Sequence, residues 1–132
     1  MKKTIIVLSA IIFAFLVAFF SFYFISTAPK NAGDFAIEDY SEIIQDENFH
    51  TDDNYGEITD YKSAASAGKK AILETFENAK GGIFEWMGWS VQYNAESDAY
   101  CIRTYHIRPM KGGAYGVIIQ SDGTVMAIWG EN

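Results

Sequence analysis

The sequence predicts an α+β protein in which an N-terminal transmembrane helix is followed by one helix packed on a four-stranded antiparallel meander. Three observations carry this. From Ile5 to Ile25 only Ser9 and Ser21 interrupt an apolar run. After residue 59, apolar residues recur at three- and four-residue spacings. After Gly88 the pattern changes to alternation broken by turns, with no helical stretch between the strands. The expected organisation is a signal anchor over 1–28, an acidic linker over 29–58 and a small α+β domain over 59–132.

The first element is read from length. From Thr4 to Ile25 there are 22 residues, which as a helix measure roughly 33 Å, enough for a hydrocarbon core of about 30 Å. A signal-peptide core is shorter, at about 7–15 residues. Ser26, Thr27 and Ala28 have the sizes a cleavage site needs, but Pro29 follows them and disfavours processing. An uncleaved, single-pass anchor is therefore expected, with a cleaved peptide as the alternative. Lys2 and Lys3 place the N-terminus in the cytoplasm, Phe22, Tyr23 and Phe24 lie at interface depth, and the C-terminal domain is extracytoplasmic. Ala10, Ala14 and Ala18 form a small-residue stripe of a kind that lets two copies pair as a homodimer, although alanine at this frequency is equally ordinary in any spanning helix.

Between Pro29 and Asp60, ten acidic residues stand against Lys30 alone, leaving nine net negative charges. Such a composition reads as a solvated spacer, with one short helix at 36–45. Tyr61 onward carries seven acids and seven bases, so the chain's net charge of −7 resides in the spacer. An acidic chain without a basic block argues against nucleic acid, whose binding rests on neutralising phosphates. Asp52, Asp53, Asn54 and Glu57 resemble a calcium loop only superficially. The sixth and twelfth positions from Asp52 are Glu57 and Ser63, where Gly and Glu are needed.

Thr59 or Asp60 caps the domain's helix, whose apolar face is Tyr61, Ala64, Ala65, Gly68, Ile72 and Phe76. Asn78 to Gly82 ends it. Trp89, Val91 and Tyr93 alternate with polar residues as the first strand, and a turn at Ala95 to Asp98 leads into Tyr100 to Arg108. After Pro109 to Gly113 comes Ala114 to Gln120. Ser121, Asp122 and Gly123 then form the strongest hairpin signal, before Thr124 to Trp129. Neither side of the last two strands is polar. One helix cannot cover both sheet faces, so either the sheet curls on itself or a partner covers the second face.

Chemistry is sparse. Cys101 and His106 lie five apart in a strand, an odd separation that points them to opposite faces. A single cysteine excludes an internal disulfide, and with only His50 and His106 no metal-ligand spacing exists. Lys111, Gly112 and Gly113 form a turn and not a phosphate loop, because no strand-to-helix context surrounds them. No catalytic residue, metal or cofactor is expected. Arg103, Arg108 and Lys111, with Trp86, Tyr100 and Tyr105 beside them, make the one basic and aromatic group suited to a protein interface.

The helix with Tyr61, Ala64 and Leu73, the Trp89 strand, and KGGAYGVIIQSDGTVMAIWGEN from Lys111 to Asn132 together resemble bacterial immunity proteins of the nuclear-transport-factor-2-like fold. The resemblance covers about half the chain. It implies a non-enzymatic protein that neutralises a toxin by binding it, with no catalytic residues to carry over. A membrane anchor departs from a cytoplasmic immunity protein and implies a target at the membrane or envelope. The alternative is an envelope accessory or regulatory domain, a PepSY-like inhibitor or sensor without a toxin partner.

Overall fold

The computed structural model describes residues 1–76, 79, 87–106 and 114–131. An apolar helix, α1 (Lys2–Thr27), precedes an α+β unit built on a five-stranded sheet in the order β1-β2-β3-β4-β5. The strands are β1 (Lys30–Asp34), β2 (Met87–Asn94), β3 (Ala99–His106), β4 (Ala114–Gln120) and β5 (Val125–Glu131). The last four pair antiparallel with their neighbours in sequence, and β1 pairs parallel with β2. The sheet is thus mixed and has five strands, where four antiparallel ones were expected. KNAGD has no apolar alternation and all five residues are exposed, so β1 is held by its ladder to β2 and carries no pattern of its own.

The Lys2–Ile25 stretch of α1, 24 residues, is long and apolar enough to cross a membrane. It stops where proline dictates: Ala28, just before Pro29, is extended (ψ 141°), as the ring requires of the preceding residue. Only Ala28 and Pro29 separate α1 from β1.

A parallel pair needs a crossover, and here the crossover wraps the sheet. After β1 the chain runs through a 3₁₀ turn (Ile37–Tyr40), the short helix α2 (Ser41–Gln45) and a second 3₁₀ turn (Glu47–Phe49) along one face. Next it brackets the β4–β5 turn, where the amides of Tyr55 and Ile58 donate to the carbonyls of Gly123 (3.0 Å) and Ser121 (2.8 Å). It then crosses the other face as α3 (Tyr61–Thr75). The acidic spacer of the sequence reading is therefore corrected. Its charged residues point outward, while Phe35, Ile37, Tyr40, Ile43, Ile44 and Phe49 gather against Ala99, Cys101, Ile118, Ala127 and Trp129. The second face of the sheet is covered by the chain itself.

α3 starts at Asp60, whose carboxylate accepts from the Ser63 amide (2.7 Å) while the Asp60 amide donates to Ser63 Oγ (3.1 Å), a reciprocal cap. Its buried face is Ala64, Ala65, Ala67, Gly68, Ala71 and Ile72. A Cβ on Gly68 would come within 2.8 Å of Ile102; the thin face lets the helix sit close on Val91, Ile102, Val117 and Ile119. In β5 a register shift opposite Ile118 and Ile119 changes the expected alternation. Val125 and Ile128 join the α3 side, while Met126, Ala127 and Trp129 join the other, as an extra residue in one strand requires.

The turns at one end of the sheet are tied together by Asp98, the one described non-glycine residue with positive φ (48°). Its carboxylate accepts from Tyr93 Oη (2.7 Å) and from Ser121 Oγ, which sits in the neighbouring turn. Those bonds, Ser121's first, hold the Asp98 carboxyl below its ordinary 3.8. A depressed folded-state pKa stabilises the fold above the unfolded value of about 3.9 and loses its effect as pH falls through the folded value. Asp98→Asn keeps a residue tolerant of positive φ. It should lower the urea midpoint at about pH 7 and converge on the parent towards about pH 2. A deficit independent of pH would assign the effect to the turn backbone.

Candidate protein-binding cleft

The covering segment leaves an open cleft of about 660 Å³ where it crosses β2 and β3. Asp34, Glu38, Asp39 and Glu96 supply four carboxylates to its walls, Gln92 and Asn94 line the β2 side, and among the described residues Arg103 is the one basic lining residue. β2 holds the segment in place: Gln92 Nε2 donates to the Asp34 carbonyl (3.1 Å) and Asn94 Nδ2 to that of Phe35 (2.9 Å). Phe35 packs edge-on against Tyr40 (5.9 Å), and Tyr40 lies on Trp129 (5.4 Å). An aromatic floor thus supports the acidic rim.

Arg103 is engaged from within the domain. Its Nη2 pairs with Glu131, which also accepts from Trp129 Nε1 (3.3 Å). Burial opposes the charge on Arg103, but the Glu131 carboxylate outweighs it and raises the guanidinium pKa. Among the described residues, Arg103 Nε is buried without a hydrogen-bond partner. Tyr105, two residues along β3 and so on the same face, has its ring across Gly88, with the Lys30 ammonium 5.2 Å from the ring centre. Its buried hydroxyl likewise lacks a partner among the described residues.

The expected interface residues are therefore divided. Arg103 and Tyr105 share one face. Tyr100 belongs to the α3 side, its ring tilted against that of Tyr93 at 4.7 Å. Trp86, Arg108 and Lys111 lie outside the described residues. Three of the four cleft carboxylates, Asp34, Glu38 and Asp39, were assigned to the spacer by the sequence reading, and Glu96 to the turn between the first two strands. The signal that locates them is the set of large apolar residues recurring through the acidic stretch, Phe35, Ile37, Tyr40, Ile43 and Ile44, which no freely solvated spacer needs.

Cys101 lies beneath Tyr40, buried, and burial pushes its thiol pKa up to about 11. A thiol so raised holds almost no thiolate at neutral pH and is a poor nucleophile. Tyr40 is raised as well, by burial first and then by Cys101. Among the described residues no group of three or more His, Cys, Asp or Glu side chains is placed to hold a metal ion. The Asp52–Glu57 stretch instead braces the hairpin: Asn54 Oδ1 accepts from the Gly56 amide (2.9 Å) and its Nδ2 donates to the Asp122 carbonyl (3.2 Å). What the cleft offers is a negative, partly aromatic surface for a cationic group. Comparison with protein-family models, with curated proteins and with solved structures finds no match to this chain.

Proposed function

We propose that this chain is a membrane-anchored, extracytoplasmic binding protein of the immunity type, which neutralises a toxin by holding it and performs no catalysis. The observation that carries the reading is the cleft of four carboxylates over an aromatic floor, which suits a basic segment of a partner protein. Exposed acids of one sign steer a cationic partner, and the aromatic groups beneath supply contact area. The junction between α1 and β1 supports the same reading. With two residues between them, the domain sits at the outer membrane–water boundary, where a toxin acting on the envelope is intercepted.

The test is a growth-protection assay against whichever secreted toxin is found encoded immediately upstream of this gene. The parent chain is expected to protect, and Glu38→Lys with Asp39→Lys to abolish protection. Both residues are exposed, so thermal stability should stay within about 0.5 kcal/mol. Full protection by the charge-reversed variant rejects the cleft as the binding surface. A parent chain that protects against nothing, encoded within a transporter or cell-wall operon, decides for the accessory or regulatory role.

A further inference from the structure

Arg103 lines the acidic cleft with a charge opposite to that of the carboxylates around it, the wrong sign for contact with a basic partner. Its charge is already engaged: Nη2 pairs with Glu131, and Glu131 also accepts from Trp129 Nε1 (3.3 Å). These residues are neighbours across the sheet. Arg103 on β3 is opposite Gly116 on β4, which is opposite Trp129 on β5. Because Gly116 has no side chain, the Trp129 indole lies over it, and there it carries the Tyr40 ring, 5.4 Å away. Tyr40 closes the 3₁₀ turn Ile37–Tyr40, the turn that presents Glu38 and Asp39 to the cleft.

We infer that Arg103 is a positioning residue: through Glu131 and Trp129 it seats Tyr40, and so fixes Glu38 and Asp39 where the cleft binds a cationic partner. The inference deepens the reading of the cleft as the binding surface and rests on it. Two further observations support it. The turn has little of its own to hold it, since none of its residues is fully buried and no side chain caps it. Tyr40 and Arg103 also act on each other directly, the guanidinium charge opposing the rise that burial causes in the Tyr40 pKa. Carboxylates already fixed by folding cost less to order when the partner arrives, and the affinity gains by that difference.

The sign of one substitution separates this role from plain electrostatics. Were Arg103 only a positive charge in the cleft, its removal would tighten the binding of a polycation; for a positioning residue, removal weakens it. The full chain in neutral maltoside micelles is titrated with labelled hexalysine at low ionic strength, where exposed charges are least screened. Circular dichroism sets a temperature at which every variant is folded, so that lost stability alone leaves the affinity unchanged. Arg103→Met keeps the apolar stem and removes the charge. It should weaken binding about five-fold, the worth of two exposed ion pairs, and Arg103→Lys, which can still pair with Glu131, should restore it. If Arg103→Met does not fold, Arg103→Gln takes its place. Amide exchange at Asp39, which donates to the Ala36 carbonyl (3.3 Å), reads the turn itself and should quicken in the neutral variant alone. Unchanged or tighter binding by the neutral variant, or exchange at the parent rate, overturns the inference and leaves the cleft reading standing. A parent that does not bind hexalysine, or binds it equally after Glu38→Lys with Asp39→Lys, overturns the cleft reading and the inference with it.

Discussion

A chain that begins at Ile58 is expected not to fold cooperatively, whereas one that begins at Lys30 should fold as the full domain does. The difference is the covering segment. Its removal opens Ala99, Cys101, Ile118, Ala127 and Trp129 to water and deletes Phe35, Ile37, Tyr40, Ile43, Ile44 and Phe49. A large apolar side chain contributes about 1.5–3 kcal/mol when fully buried. Six of them, taken at half burial, amount to roughly 5–9 kcal/mol, which is comparable with a whole domain's net stability of about 5–15 kcal/mol. The β1 ladder and the brackets from Tyr55 to Gly123 and from Asn54 to Asp122 go as well. Circular dichroism melts of the two chains give the answer, and the intact protein should resist proteolysis between Gly33 and Glu57. A cooperative melt from the chain starting at Ile58 would show that the second face is stable uncovered.

The parts of this fold written in local pattern were legible in the sequence. α3 is marked by its cap at Asp60 and its small-residue face, and the β4–β5 hairpin by Asp122 and Gly123, the latter at φ +89° with its amide on the Gln120 carbonyl (2.9 Å). β1 was not legible, because its reason for being a strand lies some 60 positions away in β2 (Lys30 opposite Ser90). The covering segment was hidden by its charge. Its composition satisfies the criterion for disorder, yet the criterion averages over residues, and a few well-placed aromatics suffice where an apolar sheet face awaits them. The site shows the same division. Period-two alternation, which separates Cys101 from His106, equally separates Tyr100 from Arg103 and Tyr105; only the last two share a face. Three of the cleft's carboxylates, Asp34, Glu38 and Asp39, required the three-dimensional path of residues 34–40, and no local spacing reports that path.

Gly116→Ala and Gly130→Ala, two substitutions of one methyl group each, are expected to act in opposite directions. Gly116 on β4 faces Trp129 across the β4–β5 ladder, and a Cβ there would overlap the six-membered ring of the indole at Cζ2, Cε2 and Cη2. Trp129 is 5% exposed and cannot yield outward without lifting Tyr40 from its face and Glu131 from its indole nitrogen. Overpacking of a closed core costs about 1–3 kcal/mol, and the shared contacts place Gly116→Ala at the upper end. For a domain of this size that lowers the melting temperature by on the order of 10–20 °C. At Gly130 an added Cβ meets nothing among the described residues nearer than Tyr115 at 3.6 Å, an ordinary contact, and φ is not positive. There the loss of glycine's unfolded-state freedom should stabilise the strand by about 0.5–1 kcal/mol. Combining Gly116→Ala with Trp129→Phe, which removes the offending benzo ring, should recover part of the loss, so the two effects are non-additive by more than about 0.5 kcal/mol. Strict additivity in the double variant, or a parent-like melt for Gly116→Ala alone, would mean that Trp129 does not lie across β4.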